Sequence, residues 1–326
     1  MVNHITGLHH LTAIATDAQQ NIDFYAGLLG LRLVKKTVNF DDPSAYHLYY
    51  GDESGTPGSI VTFFYWPGAA RGRVGAGQTT AITFSVSSAS LPFWQQRLEL
   101  NHVSIQRRRV FDEELLAFGD PDGIPVEIIA VKGDARIGWN GAGIPVEHAL
   151  RGLHTAQLTV RDAGPTEKLF TDVMGYRLVR RVGNRARFDA GPGGPGRGVD
   201  VIVDATSPRG SGGAGTIHHI AYRVSDDAAQ LELKDRIAAA GLSVSDVRDR
   251  DYFHSIYYRE PGGILFEIAT DVPGFAVDEP ASSLGTALML PKQIEPLRSR
   301  IEKILPPLQT ARTYSSAGVD AASSPV

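Results

Sequence analysis

No cysteine occurs anywhere in the 326 residues. That excludes disulfide staples, zinc–thiolate knuckles, iron–sulfur clusters and a cysteine nucleophile, so any metal must be held by histidine, carboxylate or water. Long apolar runs are missing too: no window approaches the roughly 18 unbroken apolar residues of a spanning helix. The opening stretch MVNHITGLHHLTAIATDAQQ has no basic segment followed by a long apolar core, so no signal peptide is expected. Nor is there an excess of positive charge. The 32 Lys+Arg stand against 36 Asp+Glu, a net charge of −4, which leaves no basic footprint for nucleic acid. These absences predict a cytoplasmic chain with neither a membrane nor a nucleic acid as partner.

What the chain does have is enough apolar residue to build cores. Hydrophobic residues make up 42% and charged ones 21%, which excludes wholesale disorder. The length fits about two domains of roughly 150 residues, or one large duplicated unit.

The chain also repeats itself. GLHHLTAIATDAQQNIDFYAGLLGLRLVKK matches GLHTAQLTVRDAGPTEKLFTDVMGYRLVRR at one constant offset, with Gly7, His9, Asp17, Gly30 and Arg32 falling on Gly152, His154, Asp162, Gly175 and Arg177. A second pair, DPDGIPVEI and EPGGILFEI, places Glu127 and Glu267 in matching positions. Four modules result, at about 7–66, 79–131, 152–205 and 216–271. Each reads as an alternating strand, an N-cap (Asp17, Asp162 or Ser225), an amphipathic helix and three short β runs. The helices are expected to stop at Gly30, Asn101, Gly175 and Gly241. The fold class is therefore α+β, four βαβββ modules, and each module must pair to cover its apolar sheet face. The domains are expected at 1–131, holding the first two modules, and 152–290, holding the last two, joined by a linker at 132–151. Residues 291–326 read as a C-terminal helix, centred on KQIEPLRSRIEKIL, and a disordered tail from about Thr310.

Three positions that could carry chemistry align across modules. His10 and His219 lie on the first strands of modules one and four, and Glu267 lies on the last strand of module four. Two imidazoles and one carboxylate form a facial triad that leaves coordination positions open and suits Fe(II) in oxygen chemistry, with Mn(II) accepting the same set. Completeness selects the pairing. Modules one and four together supply His10, His219 and Glu267, whereas modules two and three supply only Glu127 beside Thr155 and about Ala81. The counterparts of Glu267 in modules one and three read as Phe63 and about Ile202, both apolar, so the second cleft is expected to be plain core. Either His-His pair alone is more often structural; the coincidence of three equivalent slots is what favours a metal. Strand alternation puts His9 and His218 on the face opposite His10 and His219. Tyr252, Phe253 and Tyr258 could line a pocket for a ring, although aromatic strand residues are more often core. His47, between aromatics in YHLYY, reads better as a structural ring than as pocket lining.

These stretches point to a family. GLHHLTAIATD, YHLYYGDESGTPG, GTIHHIAYRV and SIYYREPGGILFEIA, over about residues 3–290, resemble the vicinal oxygen chelate superfamily, and within it bacterial ring-cleaving hydroquinone and chlorohydroquinone 1,2-dioxygenases. The resemblance implies the vicinal oxygen chelate fold, two pseudo-symmetric half-barrels, and Fe(II) on His10, His219 and Glu267, with the second histidine of each pair as the ligand. It further implies O2 as co-substrate, a small aromatic diol as substrate and a homo-oligomer. Tyr257 matches an active-site tyrosine and Arg250 a basic position behind the ligands, both counted as catalytic with His9 and His218 as supporting residues, and His254 lies nearby in an open role, counted with Tyr252 and Phe253 as substrate-binding. Catechol-cleaving relatives carry an acid–base histidine where DATSPRGSGGAGTI has none, and a ligand histidine where Thr155 stands; both departures favour the hydroquinone branch. Two other readings remain. A glyoxalase-type isomerase would want four protein ligands, and an aromatic-binding protein of the same fold would need no metal.

Overall fold

The computed structural model describes residues 4–315. Module one runs β1 (Gly7–Ala15), α1 (Ala18–Ile22), β2 (Arg32–Val38), β3 (Tyr46–Gly51) and β4 (Ile60–Tyr65). Module two runs β5 (Gln78–Ser87), α2 (Leu91–Leu100), β6 (Gln106–Val110), β7 (Glu113–Gly119) and β8 (Pro125–Val131). Module three runs β9 (Leu153–Val160), α3 (Gly164–Lys168), β10 (Arg177–Val182), β11 (Arg185–Asp189) and β12 (Gly198–Val203). Module four runs β13 (Ile217–Val224), α4 (Asp227–Ala239), β14 (Arg248–Asp249), β15 (Phe253–Arg259) and β16 (Leu265–Pro273). No helix among the described residues is long and apolar enough to cross a membrane.

The strands form two curled eight-stranded sheets, ordered β14-β15-β16-β13-β1-β4-β3-β2 and β10-β11-β12-β9-β5-β8-β7-β6. Modules one and four share the first sheet, and modules two and three the second. Each half-barrel thus takes one module from each half of the chain, and neither 1–131 nor 152–290 closes a sheet of its own. The cause is pairing at the module's first strand: β1 lies antiparallel to β13, and β5 to β9.

Local chemistry sets the helix ends. The Asp17 side chain caps α1 by accepting from Gln20 N at 2.9 Å. In module four the cap is Asp226, which accepts from Ala229 N at 3.0 Å, not Ser225. In module three the helix starts after Ala163, and Asp162 instead accepts from Gly164 N at 3.0 Å. Gly30, Gly175 and Gly241 do take the left-handed conformation that ends a helix, but α2 hands that role to His102, one residue beyond Asn101. Helix α1 continues as a wide i→i+5 turn over Asp23–Leu28, and α3 does so over Leu169–Val173. The widened turn buries Phe24, Tyr25 and Leu28 together.

The chain after β16 straps module one. Lys35 Nζ is fully buried on β2 and meets Asp278 at 2.6 Å and Glu279 at 2.5 Å, while Met289 N donates to Lys36 O at 2.9 Å. The strap places Phe275 behind Tyr49, ring centres 5.2 Å apart. Helix α5 (Arg298–Ile304) follows a short 3-10 turn and is shorter than the pattern implies. The segment expected to be disordered from Thr310 is partly docked. Arg312 N donates to Asp23 Oδ1 at 2.9 Å, and Ser315 O accepts from Asn101 Nδ2 at 3.1 Å and from Arg97 at 3.3 Å. Buried Arg97 also donates to the carbonyls of Leu28 and Gly27, the loose C-terminal carbonyls of the first helix. Residues 316–326 of the expected tail lie outside the described residues.

Candidate metal centre

The two His-His pairs sit at two β-bulges. Between β1 and β13, Leu8 pairs with Tyr222 and His10 with Ala221, leaving His9 as the extra residue. Further along, Thr12 pairs with His219 and Ala13 with Ile217, leaving His218 over. A bulge breaks simple alternation, so the members of each pair do not face opposite ways. His9 Nδ1 lies 2.9 Å from His10 Nδ1, and His218 Nδ1 lies 2.7 Å from His219 Nδ1.

These contacts set the tautomers. His9 Nε2 faces the Thr270 carbonyl at 3.1 Å, which accepts only, so His9 carries its proton there. Its Nδ1 must then accept from His10 Nδ1–H, which leaves His10 Nε2 with a bare lone pair. His218 Nδ1 stands against His219 Nδ1 in the same way, which aims His219 Nε2 at the same point. The two Nε2 atoms point at Glu267 Oε2, His10 at 3.3 Å and His219 at 2.9 Å, and lie 3.4 Å from one another. Ser255 Oγ donates to the other carboxylate oxygen, Oε1, while the buried Oε2 has no hydrogen-bond donor.

Three lone-pair atoms turned on one point in a buried setting repel unless a cation joins them. Donors bound to one ion at roughly 2.1 Å stand about 3.0–3.4 Å apart in octahedral or tetrahedral arrangements, which matches the spacing here. Among the described residues this is the one cluster of three side chains able to hold a metal.

The strand register corrects the counterparts of Glu267. Ala221 pairs with Glu267, and in the equivalent places Thr12 pairs with Thr62 and Gln157 with Asp200. The fourth slot of the first cleft is thus Thr62, not Phe63, whose ring is buried against Tyr25, centres 4.5 Å apart. In module three the slot is Asp200 rather than Ile202. The second cleft is therefore not plain core. Arg187 clamps Asp200 at 2.7 and 3.0 Å and reaches Glu113 at 2.7 Å, while Arg185 reaches Asp200 at 3.3 Å and Gln157 donates to Glu127. These three carboxylates are already paired with arginine and amide donors.

A cavity of about 370 Å³ opens over the first cleft, at the small end of ordinary ligand sites. Phe40, Phe64, Trp66 and Phe253 form aromatic walls. Tyr257 and Arg250 line it, with Arg250 Nε donating to Tyr257 Oη at 3.2 Å and Nη1 reaching Asp41 at 3.5 Å. Burial and the Glu267 charge raise the Tyr257 pKa, so the phenol keeps its proton. His218 lines the cavity, while His9 stands behind His10.

Two expected substrate contacts lie elsewhere. Tyr252 stacks on Phe275 and donates to Asp278 Oδ2 at 3.0 Å, and His254 turns to Asp227 at 2.6 Å, outside the cavity. Neighbours on a strand face opposite sides, so Phe253 inside puts His254 out, while Tyr252 lies in the bend before the strand. Tyr258 faces Met174. Tyr49, Phe40, Phe64 and Trp66 were not foreseen as lining, and His47, read above as the better structural ring, also lines the cavity, because alternation along β3 places it with Tyr49 on the concave face. Burial lowers the His47 pKa well below its usual value and leaves a neutral imidazole.

The model of the Glyoxalase/Bleomycin resistance protein/Dioxygenase superfamily matches residues 7–128 and 152–268. A Bacillus subtilis (strain 168) protein, provisionally designated ring-cleaving dioxygenase MhqO, is 44% identical over 309 residues, covering 95% of this chain and 98% of that one. A chlorohydroquinone/hydroquinone 1,2-dioxygenase of Sphingobium indicum is 34% identical over 305 residues, covering 91% and 95%. A crystal structure of a B. subtilis protein, provisionally titled a dioxygenase, superposes with a TM-score of 0.91 at 43% identity, covering 95% of this chain and 99% of that one.

Proposed function

The chain belongs to the Glyoxalase/Bleomycin resistance protein/Dioxygenase superfamily, and from that premise we propose that it is an Fe(II)-dependent ring-cleaving dioxygenase acting on hydroquinone-type diols. The carrying observation is the buried His10–His219–Glu267 convergence, whose open side faces an aromatic-walled cavity. The similarity to a chlorohydroquinone/hydroquinone 1,2-dioxygenase supports the substrate class. The fourth slot argues against a glyoxalase-type isomerase. A side chain there would have to be a ligand, and Thr62 is instead engaged with Thr12 at 2.9 Å and His47 at 2.7 Å. A metal-free binder does not account for three converging lone pairs.

Bound to these three residues, Fe(II) supplies Lewis acidity that favours a coordinated phenolate, together with a route for electrons between ring and O2. The rest falls to the chain. His9 and His218 hold the ligand imidazoles in the tautomer that presents Nε2. Ser255 holds the carboxylate orientation through Oε1. The Phe64, Trp66 and Phe253 walls place a ring and exclude water. Tyr257 accepts from Arg250 Nε, which leaves its own O–H to donate toward the reacting oxygens. Arg250 adds a fixed positive charge where negative charge develops. Both atoms of O2 end in the ring-opened product.

Anaerobic Fe(II) loading followed by oxygen-electrode assays with hydroquinone, methylhydroquinone, chlorohydroquinone and catechol tests this reading. Uptake of one O2 per para-diol is expected. No uptake with any diol overturns the enzyme class, and uptake with catechol alone overturns the substrate class. Loading with Mn(II) in parallel reports whether the same ligand set supports turnover with that ion. His254→Ala is expected to leave kcat/KM within about twofold of the parent, because the ring is tied to Asp227 at the surface. A larger loss in the same assay would return His254 to the substrate contacts.

A further inference from the structure

A para-diol differs from an ortho-diol in where its second oxygen lies. With one hydroxyl at the metal, the second oxygen of catechol is beside the first, while that of hydroquinone is across the ring. The protein must then offer that far hydroxyl a partner, or lose the hydrogen bond it had in water.

The sheet order shows which flank is opposite the ligands. Across β16-β13-β1-β4-β3, Glu267 stands on one side strand and Tyr49 on the other, with His219 and His10 between them. Tyr49 pairs with Thr62, which pairs with Thr12, so it is two strands from β1, about 10 Å at the usual spacing. Several other polar groups along the cavity have partners of their own. Asn39 Oδ1 accepts from Asp41 N at 2.9 Å, Asp42 accepts from Trp66 Nε1 at 2.9 Å, and Arg250 serves Tyr257 and Asp41.

On the far flank a hydrogen-bonded chain runs from Tyr49 back across β4 to β1. Tyr49 Oη is 2.9 Å from His47 Nδ1, His47 Nε2 is 2.7 Å from Thr62 Oγ1, and Thr62 Oγ1 is 2.9 Å from Thr12 Oγ1. The His47 ring is held between Tyr49 and Phe64, centres 4.1 and 4.4 Å away, and Phe275 backs Tyr49. With Tyr49 donating to His47 and His47 donating to Thr62, the lone pairs of Tyr49 Oη are left to accept. Each link polarises the next, which strengthens the terminal acceptor.

Resting on the function proposed above, we infer that Tyr49, oriented by His47, receives the substrate hydroxyl that the metal does not bind, and so selects para-diols over ortho-diols and monophenols. Tyr49 is the substrate contact, and His47 is a positioning residue.

Anaerobic calorimetry on the Fe(II)-loaded protein, with hydroquinone, phenol and catechol, tests this. The parent is expected to bind hydroquinone about tenfold more tightly than phenol, the worth of one well-placed neutral hydrogen bond. Tyr49→Phe should reduce that preference to within about twofold while leaving phenol and catechol affinities unchanged. His47→Phe, which keeps a stacked ring and removes both nitrogens, should reduce the preference in the same direction with full iron content. A preference that survives in both variants overturns the inference. So does its absence in the parent, or an equal loss of affinity for all three ligands in Tyr49→Phe, which marks Tyr49 as wall only. The oxygen-electrode result stands apart. A protein that prefers hydroquinone through Tyr49 yet consumes no O2 loses the dioxygenase reading and keeps this one. A protein that consumes O2 with an unchanged ratio in Tyr49→Phe does the reverse.

Discussion

His10→Ala, His219→Ala and Glu267→Ala are each expected to abolish iron retention and with it oxygen uptake with hydroquinone. Each removal leaves two protein donors, and the donor geometry is set by three different strands that cannot close on the gap. Glu267→Ala has a further consequence that activity does not report. The carboxylate is the negative charge facing two imidazoles, so its loss leaves His10 and His219 without that charge in a buried site. Metal content after desalting, measured by elemental analysis, separates these variants from Glu127→Ala. Glu127 occupies the equivalent slot of the second cleft, and its replacement should leave a full complement of iron, because its partners there are Gln157 and an arginine. Iron retained by any of the three ligand variants, or lost from Glu127→Ala, would place the metal elsewhere.

The second large effect is expected in the second cleft, whose carboxylates are paired with arginine. Arg187→Met removes both short hydrogen bonds to Asp200, a fully buried carboxylate, and the contact to Glu113. Arg185 at 3.3 Å is the remaining guanidinium on Asp200, and it is shared with Gln157. Leaving a buried charge without its main partner costs about 3–5 kcal/mol. In a chain of this size that is a fall in Tm of roughly 4–7 °C, read by calorimetry. Iron content and turnover of the folded protein should be preserved, since the affected sheet is the one that lacks His10, His219 and Glu267. The double variant Arg187→Met with Asp200→Leu should recover part of the loss, because removing both charges restores an apolar pair. An unchanged Tm in the single variant would mean that the cleft is held by packing rather than by its ion pairs.

The fourfold module was legible because alternation, caps and glycine stops recur at a constant offset along the chain. The convergence of His10, His219 and Glu267 was legible for the same reason. Equivalent slots in equivalent modules land on equivalent places once the modules pair, and only the pairing of modules one and four completes the set. The face of each histidine was not legible. Alternation is a property of one strand, whereas the extra residue at His9 or His218 exists only relative to the strand beside it. The same register moved the fourth slot from Phe63 to Thr62 and from Ile202 to Asp200. It also disclosed the Tyr49–His47–Thr62–Thr12 chain, whose members come from three strands.

The amino-acid order by itself determined the modules, the donors and which pair of modules could hold a metal, since these depend on residue type at repeating positions. Strand register and sheet curl decided which histidine nitrogens face Glu267, that the second cleft is sealed by arginines, and that Tyr49 and His47 face the cavity while His254 and Tyr252 do not. Those outcomes depend on contacts between residues far apart in the chain, and pattern along a single strand carries no information about what lies across from it.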